Sequence, residues 1–254
     1  MVVFDVKKYL IVFILLLVMG NNAECFSIDN NTKIFSICAG AKYSDELYKK
    51  NDDKNIFFYS FEVNYKNFYL TDSEFGYKFD LYSNLLFTTY IDFLDGYSVY
   101  GNGMENGYKS IKKRKEQIAA GGRFDYLFKN TKTSFFIQIG ERGSSFGSSI
   151  VWAYPIFEKL SLLTELTCIF YSKKFTDYYF GIHTQDLGGE LKKTYSPKNS
   201  FSYGPQLILD YQLTESFSIV ALLNINRYSD EASSSPIVRN KTVSSGGLGL
   251  RCSL

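Results

Sequence analysis

The stretch Phe201-Ser202-Tyr203-Gly204-Pro205-Gln206-Leu207-Ile208-Leu209-Asp210-Tyr211-Gln212-Leu213 decides the fold. Its odd positions are all apolar or aromatic, apart from the ring of Pro205, and its even positions are mostly small or polar. Successive side chains of a strand point to opposite faces, so this period of two makes one greasy face and one wet face. A turn at Thr214-Glu215 follows. Phe217, Ile219, Ala221, Leu223 and Ile225 then continue the pattern against Ser216, Ser218, Asn224 and Asn226. The two runs read as a hairpin with a continuous apolar face.

Working upstream, the same alternation recurs. Phe57, Tyr59, Phe61, Val63 and Tyr65 form one set, and Phe75, Tyr77, Phe79 and Leu81 the next. Others run through Phe87–Phe93, Ile118–Phe128, Phe135–Ile139, Ile150–Ile156 and Leu160–Phe170. Downstream the chain closes with Leu248, Leu250, Cys252 and Leu254 against Gly247, Gly249, Arg251 and Ser253. With Ile34–Ala41 as the first, about eleven strands are clear. A closed membrane barrel of one bacterial chain has an even number. Asn67–Thr71 and Tyr178–Ile182 are the candidates for an extra strand. Twelve strands are expected, with ten as the alternative.

A soluble β-sandwich alternates too. Its strands are shorter, about five or six residues, and its outer face is not built of Gly, Ser and Thr with a charge in nearly every strand. The apolar face here is also unusually aromatic: 21 Tyr and 23 Phe among 254 residues. Aromatic rings favour strands and the membrane–water interface. Mean hydropathy is −0.13, which excludes a helical membrane bundle but not a barrel that shows lipid only every second residue. The fold expected is therefore all-β: a closed antiparallel transmembrane β-barrel.

The address is read from residues 1–23. Lys7 and Lys8 precede an apolar run from Leu10 to Val18, and Ala23 suits a cleavage position. That describes a secretory signal peptide, leaving 24–254 as the barrel in the outer membrane of a Gram-negative-type bacterium. An acylated Cys25 is disfavoured by Glu24 before it. Tight turns at Asn130-Thr131, Glu158-Lys159 and Thr214-Glu215 alternate with long polar loops at Gly96–Lys115, Tyr171–Asn199 and Tyr228–Lys241. Short periplasmic turns and long external loops are the usual asymmetry. Cys38 and Cys252 fall in the first and last strands, where a disulfide could staple the seam.

Charge gives no reason to expect nucleic acid: 28 basic residues against 26 acidic. The run Lys112-Lys113-Arg114-Lys115 reads as a solvated loop cluster, with contact to anionic lipid head groups as the alternative. Alternation turns nine charges inward: Glu62, Lys78, Asp80, Asp92, Arg123, Asp125, Glu165, Asp210 and Arg251. They either pair across a narrow lumen and close it, or line a water path with weak cation preference. The single histidine, His183, has no nucleophile or orienting group at a diagnostic spacing. Asp230 and Glu231 are read as solvated acids, with external Ca²⁺ as the alternative. No catalytic residue, metal site or cofactor is expected, and the partner expected first is outer-membrane lipid.

Several segments resemble the MipA/OmpV family of outer-membrane proteins. Tyr179-Phe180-Gly181-Ile182 is similar to that family's Tyr-Phe-Gly segment, and Ser235-Pro236-Ile237-Val238 to its Ser-Pro-Ile-Val loop. Tyr195-Ser196-Pro197, Arg227 with Asp230, and Gly247–Leu250 fit in order and spacing over roughly residues 115–254. The family's terminal Phe is replaced by Leu254. The resemblance implies a non-enzymatic barrel. It also implies a scaffold role linked to murein machinery, with a periplasmic murein synthase or lytic transglycosylase as partner. Porin-like and adhesin-like members supply the alternatives.

Overall fold

A computed structural model describes residues 35–51 and 57–254. The signal peptide, Cys25 and Ile34 lie outside the described residues.

Period-two sequence becomes twelve strands. They are β1 (Phe35–Ser44), β2 (Phe57–Tyr65), β3 (Phe68–Thr71), β4 (Glu74–Tyr82), β5 (Leu85–Asp95) and β6 (Gln117–Phe128). Then follow β7 (Thr131–Gly140), β8 (Gly143–Phe157), β9 (Leu160–Tyr171), β10 (Ser200–Gln212), β11 (Phe217–Tyr228) and β12 (Thr242–Ser253). Each pairs antiparallel with its sequence neighbour, and β12 pairs with β1, so the sheet closes. Closure removes the unpaired edge that an open sheet would present. The twelfth strand is β3, at the first of the two doubtful places. The second, around Tyr178–Ile182, is helical: Lys173–Phe180 forms helix α1. Ser172 caps it, accepting from the Phe175 amide, which gives a helix start where a strand would need extended backbone.

The apolar faces point outward. Phe57, Phe135, Ile137 and Leu248 are 82, 60, 53 and 62% exposed. Contiguous exposed apolar surface around a whole molecule requires a non-aqueous surrounding. Rings stack along this outer face, as in Phe68–Phe75, Phe79–Phe87 and Phe146–Phe170.

The two rims differ. At one end lie the turns Lys66-Asn67, Ser83-Asn84, Lys129-Asn130, Glu158-Lys159 and 213–216, beside the start of β1 and the end of β12. At the other end rise segments 45–51, 96–116, 172–199 and 229–241. The last contains a single helical turn, α2 (Asp230–Ser233).

The seam corrects the disulfide expectation. Register places Ile37 opposite Cys252 and Cys38 opposite Arg251. Cys38 is buried inside the barrel, whereas Cys252 lies on the face of Leu248 and Leu250, turned outward. Neighbouring strands with an offset of one residue put the two thiols on opposite faces, so no staple forms between them.

Candidate functional site

Two structures occupy the inside of the cylinder. The first is a polar network on the wall formed by β2–β7. Arg123, projecting inward from β6, stands 3.4 Å from Glu74 and 3.4 Å from Asp125. Its guanidinium donates to the Tyr69 hydroxyl and lies over the Tyr90 ring. Ser134 donates to Asp125 at 2.5 Å. Lys78 donates to Asn64, which donates to Glu62 at 2.8 Å. Higher up, Gln117 and Gln138 each donate to Asp95 at 2.7 Å, and Tyr90 donates to Gln138. Arg123 thus pairs with acids of its own wall rather than across the lumen. Side-chain networks of this kind hold each member in one rotamer when every partner is supplied.

The facing wall is different. Val151, Leu163, Ile208 and Val220 turn inward from β8–β11 and pack together with Leu222. The salt bridge Arg251–Asp210 sits beside them, both side chains about nine-tenths buried. These residues lie toward the short-turn end of that side. What remains is a cavity of about 870 Å³ between the polar wall and side chains such as Glu165, Thr167, Gln206 and Asn224 of the facing strands. Seven of the nine inward charges line it: Glu62, Lys78, Asp80, Asp92, Arg123, Asp125 and Glu165. Asp210 and Arg251 do not, being consumed by each other. Asp72, Glu74, Asp95, Lys66 and Lys132 also line it. The first three escape sequence reading because they lie just beyond the clear alternation of β3, β4 and β5.

The second structure is a cap over the loop end. Leu47, Tyr48, Val99, Met104, Ile111, Phe175, Tyr179, Phe180, Ile182, Leu191, Ile237 and Val238 are all buried in one cluster. They come from four separate loops. Tyr97 lies at the boundary, with rings of Tyr48, Phe175, Tyr179, Phe180 and Tyr228 around it at 5.5–6.3 Å. Tyr97 and Phe175 also line the cavity below, so the underside of the cap is the roof of the lumen.

Polar contacts tie the loops together. Arg114 pairs with Asp186 at 3.0 Å, with side chains 4 and 1% exposed. Asp186 further accepts from the Lys112 and His183 amides, and Arg114 donates to the Tyr178 carbonyl at 2.5 Å. Burial pulls the Arg114 guanidinium below its ordinary value, and the Asp186 carboxylate acts against that. The Tyr48 and Tyr179 phenols are pushed up, chiefly by burial. Two glycines permit the approach. Gly96 has φ +101°, and a Cβ there would fall 2.2 Å from the Tyr179 hydroxyl. Gly143 has φ +130°, and a Cβ would fall 2.4 Å from the Phe175 amide nitrogen.

Residues 37–253 match the family described as MltA-interacting protein MipA. The chain belongs to that family. A 24 kDa outer membrane protein of Pasteurella multocida (strain Pm70) is 29% identical over 226 residues, 84% of this chain and 87% of that one. Among solved structures, an outer-membrane channel of Pseudomonas putida F1 is 10% identical, covering 92% of this chain and 100% of that one, with a TM-score of 0.47–0.48 shared with the NanC porin. The NanC porin is 8% identical, over 86% of this chain and 100% of its own. This MipA-family protein is an outer-membrane β-barrel.

The family-motif residues meet in the cap. Tyr179, Phe180 and Gly181 end α1; Ser235, Pro236, Ile237 and Val238 follow α2. Ser235 donates to the Phe180 carbonyl at 2.5 Å, and Ile237 and Val238 pack in the same cluster as Tyr179 and Phe180. Arg114 corrects the reading of its basic run: it is interior, while Lys112, Lys113 and Lys115 are exposed. His183 stands 3.1 Å from Asp177, outside the lumen. Asp230 pairs with Lys241, and Glu231 accepts from the Lys198 amide at 2.9 Å. No group of metal-ligating side chains occurs among the described residues.

Proposed function

We propose that this MipA-family barrel is a non-enzymatic structural component of the outer membrane that holds a murein enzyme at its periplasmic rim. One observation carries the reading: the loop end is covered by a packed hydrophobic cap. A lumen roofed on the outside is poorly suited to continuous passage of solutes, and loops buried in one another present little free surface for adhesion. The opposite rim keeps the turns Lys66-Asn67, Ser83-Asn84, Lys129-Asn130 and Glu158-Lys159 open to the periplasm. The family's description as MltA-interacting supports a murein-enzyme partner there.

Photo-crosslinking residues placed at Asn84 and Glu158 test the reading in cells. Capture of a lytic transglycosylase or murein synthase is expected. Capture of neither, with the barrel correctly inserted, would overturn it.

A narrow gated channel is the second reading, favoured by the charged cavity beneath the roof. Planar-bilayer recording separates the two. The structural reading expects silence from the intact protein. Steady conductance that changes with Asp92→Asn would establish the channel instead.

A further inference from the structure

Basic side chains crowd one arc of the outer rim. Lys112, Lys113 and Lys115 lead into β6; Arg142 makes the β7–β8 turn; Lys173 and Lys174 open α1 directly after β9. These positions cap the external ends of four consecutive strands. Contacts lock them into one surface. Arg142 donates to the Lys115 carbonyl and lies 4.8 Å from the Tyr178 ring, whose hydroxyl accepts from the Lys115 amide at 3.3 Å. Ser172 accepts from the Ser144 amide at 2.9 Å, fixing the start of α1 on the rim of β8.

The five lysines are exposed, and among the described residues none of them forms an ion pair. Nearby acids are already occupied: Asp186 by Arg114, Glu141 by Arg142, Glu116 by Ser98. The other side of the mouth contrasts with this. There Lys241 pairs with Asp230, Arg239 with Glu105, and Asp45 accepts from Ser244. Positive charge is therefore concentrated without a paired acid over β6–β9, while Lys241 and Arg239 across the mouth are each paired with an acid. Directly beneath the arc the outward side chains are Ile118, Ile139, Phe146 and Phe170, all exposed. Charge over a greasy wall is the chemistry of an amphiphile whose anionic head lies above its acyl chains.

We propose that this arc is a docking surface for a phosphate-bearing lipid of the outer leaflet, its phosphates against the lysines and its chains against the β6–β9 wall. Each lysine near a charged surface strengthens lipid binding about fivefold. The lysines at the first turn of α1 lie at the positive end of the helix, where neither gains from the dipole. An anionic head group between them and Lys115 compensates both.

The test uses the full chain refolded in phosphatidylcholine vesicles containing a tenth part of diphosphorylated lipid A. Lipid A retained per protein is measured after detergent extraction. Retention is expected for the native protein and is expected to fall at least tenfold in K112Q/K113Q/K115Q/K173Q/K174Q. The variant K49Q/K241Q, beside β1 and β12 across the mouth, should retain it unchanged, and dephosphorylated lipid A should not be held. Equal retention by the five-lysine variant and the native protein overturns the proposal, as does equal retention of the dephosphorylated lipid. Gel mobility without boiling verifies folding. If the five-lysine variant fails that check, K112Q/K113Q/K115Q carries the same comparison.

Discussion

At the scale of single residues, the buried pair Arg114–Asp186 is the most sensitive point of the cap. Removing one partner of a buried pair leaves an uncompensated charge and costs about 3–5 kcal/mol. Arg114→Ala should therefore loosen the external loops, read as new tryptic cleavage between residues 96 and 199 while the barrel stays folded. Full protease resistance of that variant would mean that the aromatic cluster alone holds the cap. The tyrosines give a pH dependence with a definite sign. Burial raises the Tyr48 and Tyr179 phenols above their ordinary value. The stability they contribute is intact below about pH 10, the unfolded phenol value. It is lost as pH rises further, because the unfolded loops release protons first. Cleavage of the loops should appear on the alkaline side of that point and be absent at neutral pH. Neither the pair nor the phenols could be read from sequence. Arg114 sits in a run of lysines that looks solvated throughout, and its partner lies 72 positions away.

At the scale of elements, the strands were legible because burial repeats every two residues and the repeat persists for most of each strand. Phe201–Leu213 shows it with one break, Ile208. That break marks a real feature: Ile208 joins Val151, Leu163 and Val220 inside the barrel. β3 was doubtful because four residues give only two repeats. The segment Tyr178–Ile182 misled because an apolar run that short fits a strand or a buried helix end equally. The difference is set by the Ser172 cap, outside the run. The Cys38–Cys252 staple failed on register, which alternation alone leaves open by one residue. Two substitutions test the element assignments. Ile137→Arg places a charge on the lipid face of β7 and should cost about 2–4 kcal/mol in vesicle-based unfolding. Gln138→Arg, one residue along and facing the lumen, should cost clearly less. Gly143→Ala forces a Cβ against the backbone of α1 at positive φ and should destabilise the α1 docking by about 1–3 kcal/mol.

At the scale of the whole molecule, two different cores hold the protein together. The cylinder is closed by strand pairing and faces lipid, with a charged network along one wall and an apolar filling against the other. The cap is a conventional water-excluding core, assembled from four loops. The largest fully buried side chains, Tyr179, Phe175, Phe180 and Met104, are all in it. Loop content in a barrel carries no periodic signal, so the cap was invisible in sequence except through the two family segments that meet there.

The placement of the cylinder in lipid can be tested with its one tryptophan. Trp152 lies on β8 between Val151 and Ala153, and Val151 faces inward, so the indole faces outward. The protein should be refolded in vesicles whose acyl chains carry bromine, and Trp152 emission compared with that in unbrominated vesicles. Strong quenching by the brominated chains, with little by aqueous iodide, is the predicted result. Emission untouched by bromine and quenched by iodide would contradict the account.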